Sequence, residues 1–495
     1  MYTARQKVYW FAINSRISVF LLQVVFNAIC SDHYADAFKT PSDPNEKYLL
    51  LDGTIEFLLG GLTRWDAQYY IHIAKYGYTY ENTLAFFPLF PLSLKYITVV
   101  LNNIGSLILS YSNIIVIIGF VINFICFVKA TLILYDLTEV VFKNTNVAYR
   151  AAILFCINPA SIFFTALYTE SMFAYLTFYS MLESTSNNPC VFISLGLSTL
   201  VRSNGLINIG FPIYTWLRNL FTNTIPNYIS ENQLYHSNKK SLLFNFRHIF
   251  ISVSQIISVI ILSLLPFCFL QIYNYTEFCK LNYNSSFPLH VKQYAQNNNL
   301  LLLGKQEFPW CLFKMPIAYS YVQRKYWNVG FLRYYQLRQI PNFCLAFPIL
   351  YLMMKCSICF IKEHKSKFYT LEFFTGETVK DKNHQVYPIE MFVFVMHGLF
   401  LTLFSIFMVH IQVSTRLLCS ASPILYWYCA LETMPKLSND SKEIEYENHR
   451  NILSKWKVFF FTQQQYLCIE KLIFGYFLGY TIVGCFMFSN FLPWT

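Results

Sequence analysis

The sequence predicts an all-α polytopic membrane protein, and three observations carry that prediction. Of its 495 residues, 55% are hydrophobic and only 13% charged, whereas a soluble globular chain carries about 25% charged residues. Apolar runs of about twenty residues recur along the whole length, enough for helices to cross a hydrocarbon core of roughly 30 Å. Inside hydrocarbon every backbone polar group must be paired within its own segment, so runs of this length must be helices. The short alternating strands of a closed barrel are not visible in the pattern.

The first apolar run, about residues 8–30, follows Arg5 and Lys7. It is long once Trp10 and Phe11 are counted, and no clear small-residue cleavage site follows. An uncleaved signal anchor with a cytoplasmic N-terminus is therefore expected, rather than a cleaved leader. Residues 31–110 form a large non-cytoplasmic loop with eight carboxylates against five Lys or Arg. A second span is expected at 112–136, and Lys143 and Arg150 mark a cytoplasmic turn. Residues 148–220 hold four shorter apolar pieces. They break at Asn158-Pro159, near Thr169-Glu170, at Asn187-Asn188-Pro189 and at Arg202-Ser203-Asn204-Gly205. Arg218, Lys239, Lys240 and Arg247 place 218–248 in the cytoplasm.

A strong span follows at 249–272, then a long loop, 273–339. Its sequons Asn274-Tyr-Thr276 and Asn284-Ser-Ser286 favour the lumenal side. Further spans are expected at 341–361, 389–411, 415–431 and 466–489, with a Lys-rich cytoplasmic loop at 362–388. The total is about eleven spans, which puts the C-terminal tail in the lumen. The loop 273–339 breaks the usual charge bias, with eight Lys or Arg against Glu277 and Glu307. Long loops cross regardless of charge; a basic surface facing a phosphate-bearing lipid is the functional reading.

The net charge of +11 fits basic cytoplasmic loops against anionic lipid. No basic run has the spacing of a nucleic-acid module. The 14 cysteines are scattered, mostly in apolar runs, where they act as small hydrophobes. Cys356-Ser-Ile-Cys359 has redox-like spacing but sits at the end of a span. Cys279 and Cys311 share one lumenal loop and can form a disulfide.

Asp66 is the leading candidate for chemistry. Thr63-Arg-Trp-Asp66 fits a capping box, with Thr63 capping a helix and Asp66 reaching back from N3. The competing reading is a general base, which takes the proton of an attacking sugar hydroxyl. On a helix, Trp65, Tyr69 and Ile73 share one face, suited to an interface with the aromatic side toward lipid. The segment Ala85-Phe-Phe-Pro-Leu-Phe-Pro91 reads as packing or as the wall of a lipid-chain groove. Tyr168-Thr-Glu170-Ser171 and Arg202-Ser-Asn204-Gly205 are polar islands between apolar pieces, and polar groups at membrane depth are functional candidates. Arg202 either binds a phosphate or pairs with Glu170 to hold two short helices. Residues 319–335 read as an amphipathic surface segment whose Arg324, Lys325 and Arg333 either snorkel or meet a phosphate. His410-Ile-Gln412-Val-Ser-Thr-Arg416 is a third polar junction, with Arg416 another phosphate candidate. No Asp-x-Asp pair, Walker sequence, HExxH or GxSxG occurs. Metal-dependent, nucleotide-driven and serine-hydrolase chemistry are disfavoured accordingly, and no metal or cofactor is expected.

Several of these motifs resemble one family. Arg64-Trp-Asp66, Ile73-Ala74, Gly77-Tyr78, Glu81 and Ala85-Phe-Phe-Pro88 look like the first lumenal loop of the GPI mannosyltransferase 2 (PIG-V) family. Asn158-Pro-Ala-Ser-Ile-Phe163, Tyr168-Thr-Glu-Ser171 and Arg202-Ser-Asn-Gly205 look like its middle motifs. Trp327-Asn-Val-Gly-Phe-Leu332, Gln339-Ile-Pro-Asn-Phe343, His410-Ile-Gln-Val, Thr415-Arg416 and the tail Asn490–Thr495 look like its later ones. Where the family pattern has His-Phe two residues after the Trp-Asp, this chain has Tyr69-Tyr70; His72 is in a different helical register and reads as structural.

The resemblance implies a single GT-C-type membrane domain over 1–495, in the endoplasmic-reticulum membrane with a lumenal active site. It implies dolichyl-phosphate mannose as donor and mannosylated glucosaminyl-phosphatidylinositol as acceptor. The product gains a second mannose in α-1,6 linkage, with inversion. Asp66 becomes the candidate catalytic residue. Arg202, Arg333 and Arg416 are the phosphate candidates, and Arg64, Trp65, Glu81, Glu170, Asn204, Trp327 and Gln412 the further substrate-binding candidates. Whether a small accessory membrane subunit is needed stays open. The rival readings are another dolichol-dependent mannosyltransferase, a polytopic transporter or lipid scramblase, and an inactive homologue acting as a subunit. Transporters often carry internal repeats, and none is visible here.

Overall fold

A computed structural model describes residues 3–105, 107–224, 239–280, 287–304, 308–365, 386–434 and 468–494. The N-terminal helices are α1 (Ala4–Ile29), α2 (Asp52–Leu59), α3 (Ala67–Tyr76), α4 (Leu89–Gly105) and α5 (Tyr111–Phe142). A crowded middle follows: α6 (Thr145–Cys156), α7 (Glu170–Thr185), α8 (Val191–Val201), α9 (Gly210–Asn219) and α10 (Lys239–Cys279). The C-terminal part holds α11 (Leu289–Asn297), α12 (Ala318–Trp327), α13 (Ile340–Glu363), α14 (Phe392–Phe407), α15 (Ser414–Ala421), α16 (Ile424–Glu432) and α17 (Cys468–Ser489). Among the described residues the only β pairing is a single bridge, Tyr80 with Leu302.

Among the described residues six helices are long and apolar enough to cross a membrane: Ala4–Ile29, Tyr111–Phe142, Phe250–Cys279, Leu337–Glu363, Ile389–Phe407 and Cys468–Ser489. The other pieces of the expected eleven are helices of 8 to 16 residues. At 1.5 Å per residue, none of these alone crosses a core of roughly 30 Å. The expected span 415–431 is split at Ser422-Pro423 into α15 and α16, where proline lacks the N–H a continuing helix needs. Of the expected cytoplasmic loops, 225–238 and 366–385 lie outside the described residues.

Helix α5 sits at the centre, packed against α7, α6, α1 and α4, while α17 returns to α1 and α10 lies along α8. Between α6 and α7 the chain runs without regular helix through 157–169, and most of that stretch is fully buried. Irregular backbone at this depth survives only where protein groups satisfy it. Arg16, fully buried on α1, supplies much of that satisfaction. Its Nη1 donates to the Ser161 carbonyl (2.8 Å) and Thr165 Oγ1 (3.0 Å), and its Nη2 to the Cys156 carbonyl (2.8 Å) and Ser161 Oγ (2.5 Å). The guanidinium also lies 3.8 Å above the Phe127 ring. Asn123 of α5 holds the far end by donating to the Ala166 and Tyr168 carbonyls.

The two large loops are clasped to one another. Glu81 N–H donates to the Leu301 carbonyl and Leu303 N–H to the Thr79 carbonyl, flanking the Tyr80–Leu302 bridge. The Glu81 carboxylate is buried and receives Lys325 Nζ (2.5 Å) and Tyr326 OH (2.7 Å). A disulfide joins Cys279 at the end of α10 to Cys311, as the sequence allows. The sequon at Asn274 sits inside α10 with its acceptor side chain buried, so it is not presented for glycosylation in the folded chain. Asn284, Lys305 and Glu307 lie outside the described residues.

Candidate active site

The residues 63–66 do not form the capping box that their spacing suggests. Trp65 adopts a left-handed backbone conformation (φ 55°), so the helix starts only at Ala67. Asp66 occupies its N-cap without a side-chain hydrogen bond to the backbone, and the Thr63 hydroxyl donates to the Gly60 carbonyl instead. A left-handed bulky residue costs on the order of 1–3 kcal/mol and is typical of functional turns. Trp65 is therefore not part of a shared helix face with Tyr69 and Ile73. Nor does α3 lie on the membrane surface, since Tyr70, Ile71, His72, Ile73 and Ala74 are all buried. His72 is structural: it shares a 2.6 Å hydrogen bond with Thr79 Oγ1 and stacks on Tyr80. Burial, with Lys75 nearby, lowers its pKa to about 3.

Asp66 opens into a cavity of about 370 Å³. The walls come from sequence-distant junctions: the start of α3, the buried stretch before α7, the turn after α8, the face of α12, the α14–α15 junction and the C-terminal tail. Gly205 permits one of these contacts. A Cβ there would lie 2.5 Å from the Ser198 carbonyl oxygen, so only glycine lets the Arg202–Asn204 turn fold onto the end of α8.

Four charged groups line the cavity as a chain. Arg416 Nη1 donates to Asp66 Oδ2 at 2.8 Å, and its Nε lies 3.9 Å from Glu170 Oε1. Arg202 Nη1 donates to the same Glu170 oxygen at 2.5 Å. Two carboxylates and two guanidiniums thus balance. Glu170 is almost wholly buried (1% exposed), while Asp66 is the most open of the four (29%). Tyr168 OH accepts from the Asp66 backbone N–H at 3.0 Å, fixing the turn. Four polar atoms on cavity-lining residues have no hydrogen-bond partner: Trp65 Nε1, Glu170 Oε2, Asn204 Nδ2 and Trp494 Nε1. Each is a hydrogen-bonding atom left unengaged by the protein at the cavity. The apolar part of the lining includes Phe163, Val329, Phe404, Val409, Val413 and Leu417.

Of the sequence candidates, Trp65, Asp66, Glu170, Arg202, Asn204, Trp327, Gln412 and Arg416 line this cavity. Arg64, Glu81 and Arg333 do not. Arg64 turns to Asp32, Asn27 and the Ser489 carbonyl, tying the loop to the end of α17. Glu81 is consumed by Lys325 and Tyr326. Arg333 is exposed, with Asn328 as its contact. The expected pair Arg202–Glu170 exists, and both its members also face the cavity. Sequence reasoning passed over Tyr319, Gln323 and Trp494 as lining residues. The first two had a signal: 319, 323 and 327 follow the four-residue helical spacing that puts them on one face.

The arrangement can hold an anion between two guanidiniums, orient a polar ligand and present one carboxylate to it. Among the described residues no group of three or more His, Cys, Asp or Glu is placed to hold a metal ion.

Comparison with known proteins places similarity along the whole chain. The family described as Mannosyltransferase (PIG-V) matches residues 5–495. GPI alpha-1,6-mannosyltransferase 2 of Cricetulus griseus is 35% identical over 99% of both chains, and that of Homo sapiens 34% over 99% of both. GPI mannosyltransferase 2 of Drosophila melanogaster is 34% identical over 99% of this chain and all of that protein. No solved structure matches.

Proposed function

The chain belongs to the PIG-V family of mannosyltransferases, and from that premise we propose that it adds the second mannose, in α-1,6 linkage, to a GPI precursor. The donor is dolichyl-phosphate mannose, and the reaction runs on the lumenal face of the endoplasmic reticulum. The protein is a glycosyltransferase enzyme spanning the membrane several times; donor, side and mechanism are the proposal. The observation that carries it is the convergence of Asp66, Glu170, Arg202 and Arg416 in one cavity with a partly apolar lining.

Asp66 is the general base. The acceptor's 6-hydroxyl loses its proton to the carboxylate as its oxygen attacks C1 of mannose. The C1–O bond to phosphate breaks with its electron pair going to the phosphate oxygen. A β-linked donor becomes an α-linked product in a single displacement. Dolichyl phosphate leaves as a stable anion, so no acid is required, and Arg202 and Arg416 stabilise the charge that develops on it. Trp65 and Asn204 offer unpartnered N–H groups for sugar hydroxyls. The apolar part of the lining suits the first isoprene units of the donor.

The test is complementation. Cells lacking their own second GPI mannosyltransferase receive this chain, and surface GPI-anchored protein is measured together with the lipid intermediates. Restored anchors and disappearance of the one-mannose precursor are expected. Persistence of that precursor at good expression contradicts the assignment of acceptor.

A further inference from the structure

We infer that Arg416 is shared between Asp66 and the donor's phosphate, so that binding the donor is what releases the catalytic base. This rests on the function proposed above and concerns the order of events at that site.

The structure holds the Asp66 carboxylate against a guanidinium. The recorded partner of its carboxylate among the described residues is Arg416 Nη1, at 2.8 Å. Its N-cap position adds no backbone hydrogen bond to that carboxylate. Arg416 is anchored on its other side by Glu170, which is buried and also fixed by Arg202. The four groups therefore differ in how easily they exchange. Glu170 sits in the wall between two cations, whereas Asp66 is the exposed end of the chain, held by one bond. A phosphodiester entering the cavity brings one negative charge to a balanced set. The guanidinium it can win is the one whose carboxylate is most open to water, and that is Arg416 from Asp66. Arg416 can rotate its fork toward the phosphate while its Nε side stays with Glu170, since a guanidinium offers five donors in a plane.

The exchange orders the reaction. Before the donor arrives, Asp66 is neutralised by Arg416 and does not activate the acceptor hydroxyl. After it arrives, Asp66 stands as an uncompensated carboxylate beside the acceptor. In the transfer step the acceptor O–H proton moves to Asp66, the new C1–O bond forms, and the C1–O–phosphate bond breaks toward phosphate. Asp66, now a neutral acid, no longer competes for Arg416, and the phosphate, now more negative, stays bound. When Asp66 gives its proton to water it competes for Arg416 again and loosens the hold on dolichyl phosphate. One ion pair thus couples donor entry, base release and product exit.

The inference makes an unusual demand: removing the base should tighten binding of the lipid phosphate. The experiment measures dolichyl phosphate affinity of the full-length protein in detergent. Wild type, Asp66→Asn, Arg416→Gln and the double variant are compared, with a melting curve for each to establish folding. Asp66→Asn should bind about tenfold tighter or more, the low end of what one opposite charge does to a neighbouring equilibrium at a partly buried site. Arg416→Gln should bind more weakly than wild type, and the double variant should show no gain from the Asn. A folded Asp66→Asn protein with unchanged or weaker affinity overturns the exchange. So does a gain that persists in the double variant. The function reading fails separately: wild type that binds no dolichyl phosphate overturns that reading and the inference with it. An Asp66→Asn variant that transfers mannose at the wild-type rate overturns the base assignment.

Discussion

Two arginines in this protein, one buried and one half-buried, are held in opposite ways. Arg16 lies wholly inside the bundle, and its guanidinium is met by backbone carbonyls, Ser161 and Thr165 hydroxyls and the Phe127 ring. Those acceptors are fixed parts of the fold and belong to one stretch of chain. Arg416 lies in a cavity wall, and its partners are two carboxylates on different elements, one of them open to water. A cation saturated by neutral, immobile acceptors has nothing to exchange. A cation strung between carboxylates beside a cavity can trade one of them for another anion. The first arrangement builds the irregular backbone that carries Tyr168 and Glu170 to the site; the second uses the site.

The same substitution at both positions separates these roles. Arg416→Lys keeps the charge but loses the planar fork. Mannose transfer should fall about 10²-fold, the usual cost of one preorganised donor, while the melting temperature in detergent stays near wild type. Arg16→Lys should do the reverse. An ammonium cannot reach four acceptors spread over 156–165, and a buried acceptor left unmet costs about 1–3 kcal/mol. Melting temperature and cellular abundance should drop, while the specific activity of the surviving folded protein is kept. A loss of specific activity at Arg16→Lys with full stability would merge the two roles.

A smaller effect is expected at the loop clasp. Cys279→Ser opens the disulfide to Cys311, which typically costs about 2–4 kcal/mol, chiefly by loosening the unfolded chain. Stability to heat should fall under oxidising conditions and match wild type treated with reductant. The smallest effect concerns pH. His72 is neutral when folded, with a pKa of about 3, against about 6.5 in an unfolded chain. Between those values the unfolded chain binds a proton that the folded chain refuses, so stability falls as pH drops below about 6.5. The melting temperature of His72→Gln should decline less between neutral and mildly acid pH than that of wild type.

The membrane class was legible because hydrophobic length is a one-dimensional property. The apolar runs at 8–30, 112–136 and 466–489 became α1, α5 and α17 with little change in bounds. The broken zone 148–220 was legible as broken but not as spans, because short apolar helices and buried turns have the same composition. The site was half legible. Asp66, Glu170, Arg202 and Arg416 each stood out as polar residues among apolar ones, yet the Asp66–Arg416 contact joins residues 350 apart, and no local pattern encodes it. Glu81, inside the loop–loop clasp, and Arg64, tied to the end of α17, looked like ligand-binding residues because a charge in a structural tie reads the same as a charge inside a pocket. The capping-box reading of Thr63 and Asp66 failed on one dihedral: Trp65 turns left-handed, and residue spacing is blind to that.

The most direct test of the account is a single-turnover measurement with purified protein, dolichyl-phosphate mannose and a one-mannose GPI acceptor, comparing wild type with Asp66→Asn. The account predicts an α-1,6-linked product from wild type. It also predicts a chemical step slowed by about 10²–10⁴-fold in a folded Asn variant, the usual loss for a general base. Transfer by the Asn variant at the wild-type rate would contradict it and leave Asp66 as a positioning group for Arg416.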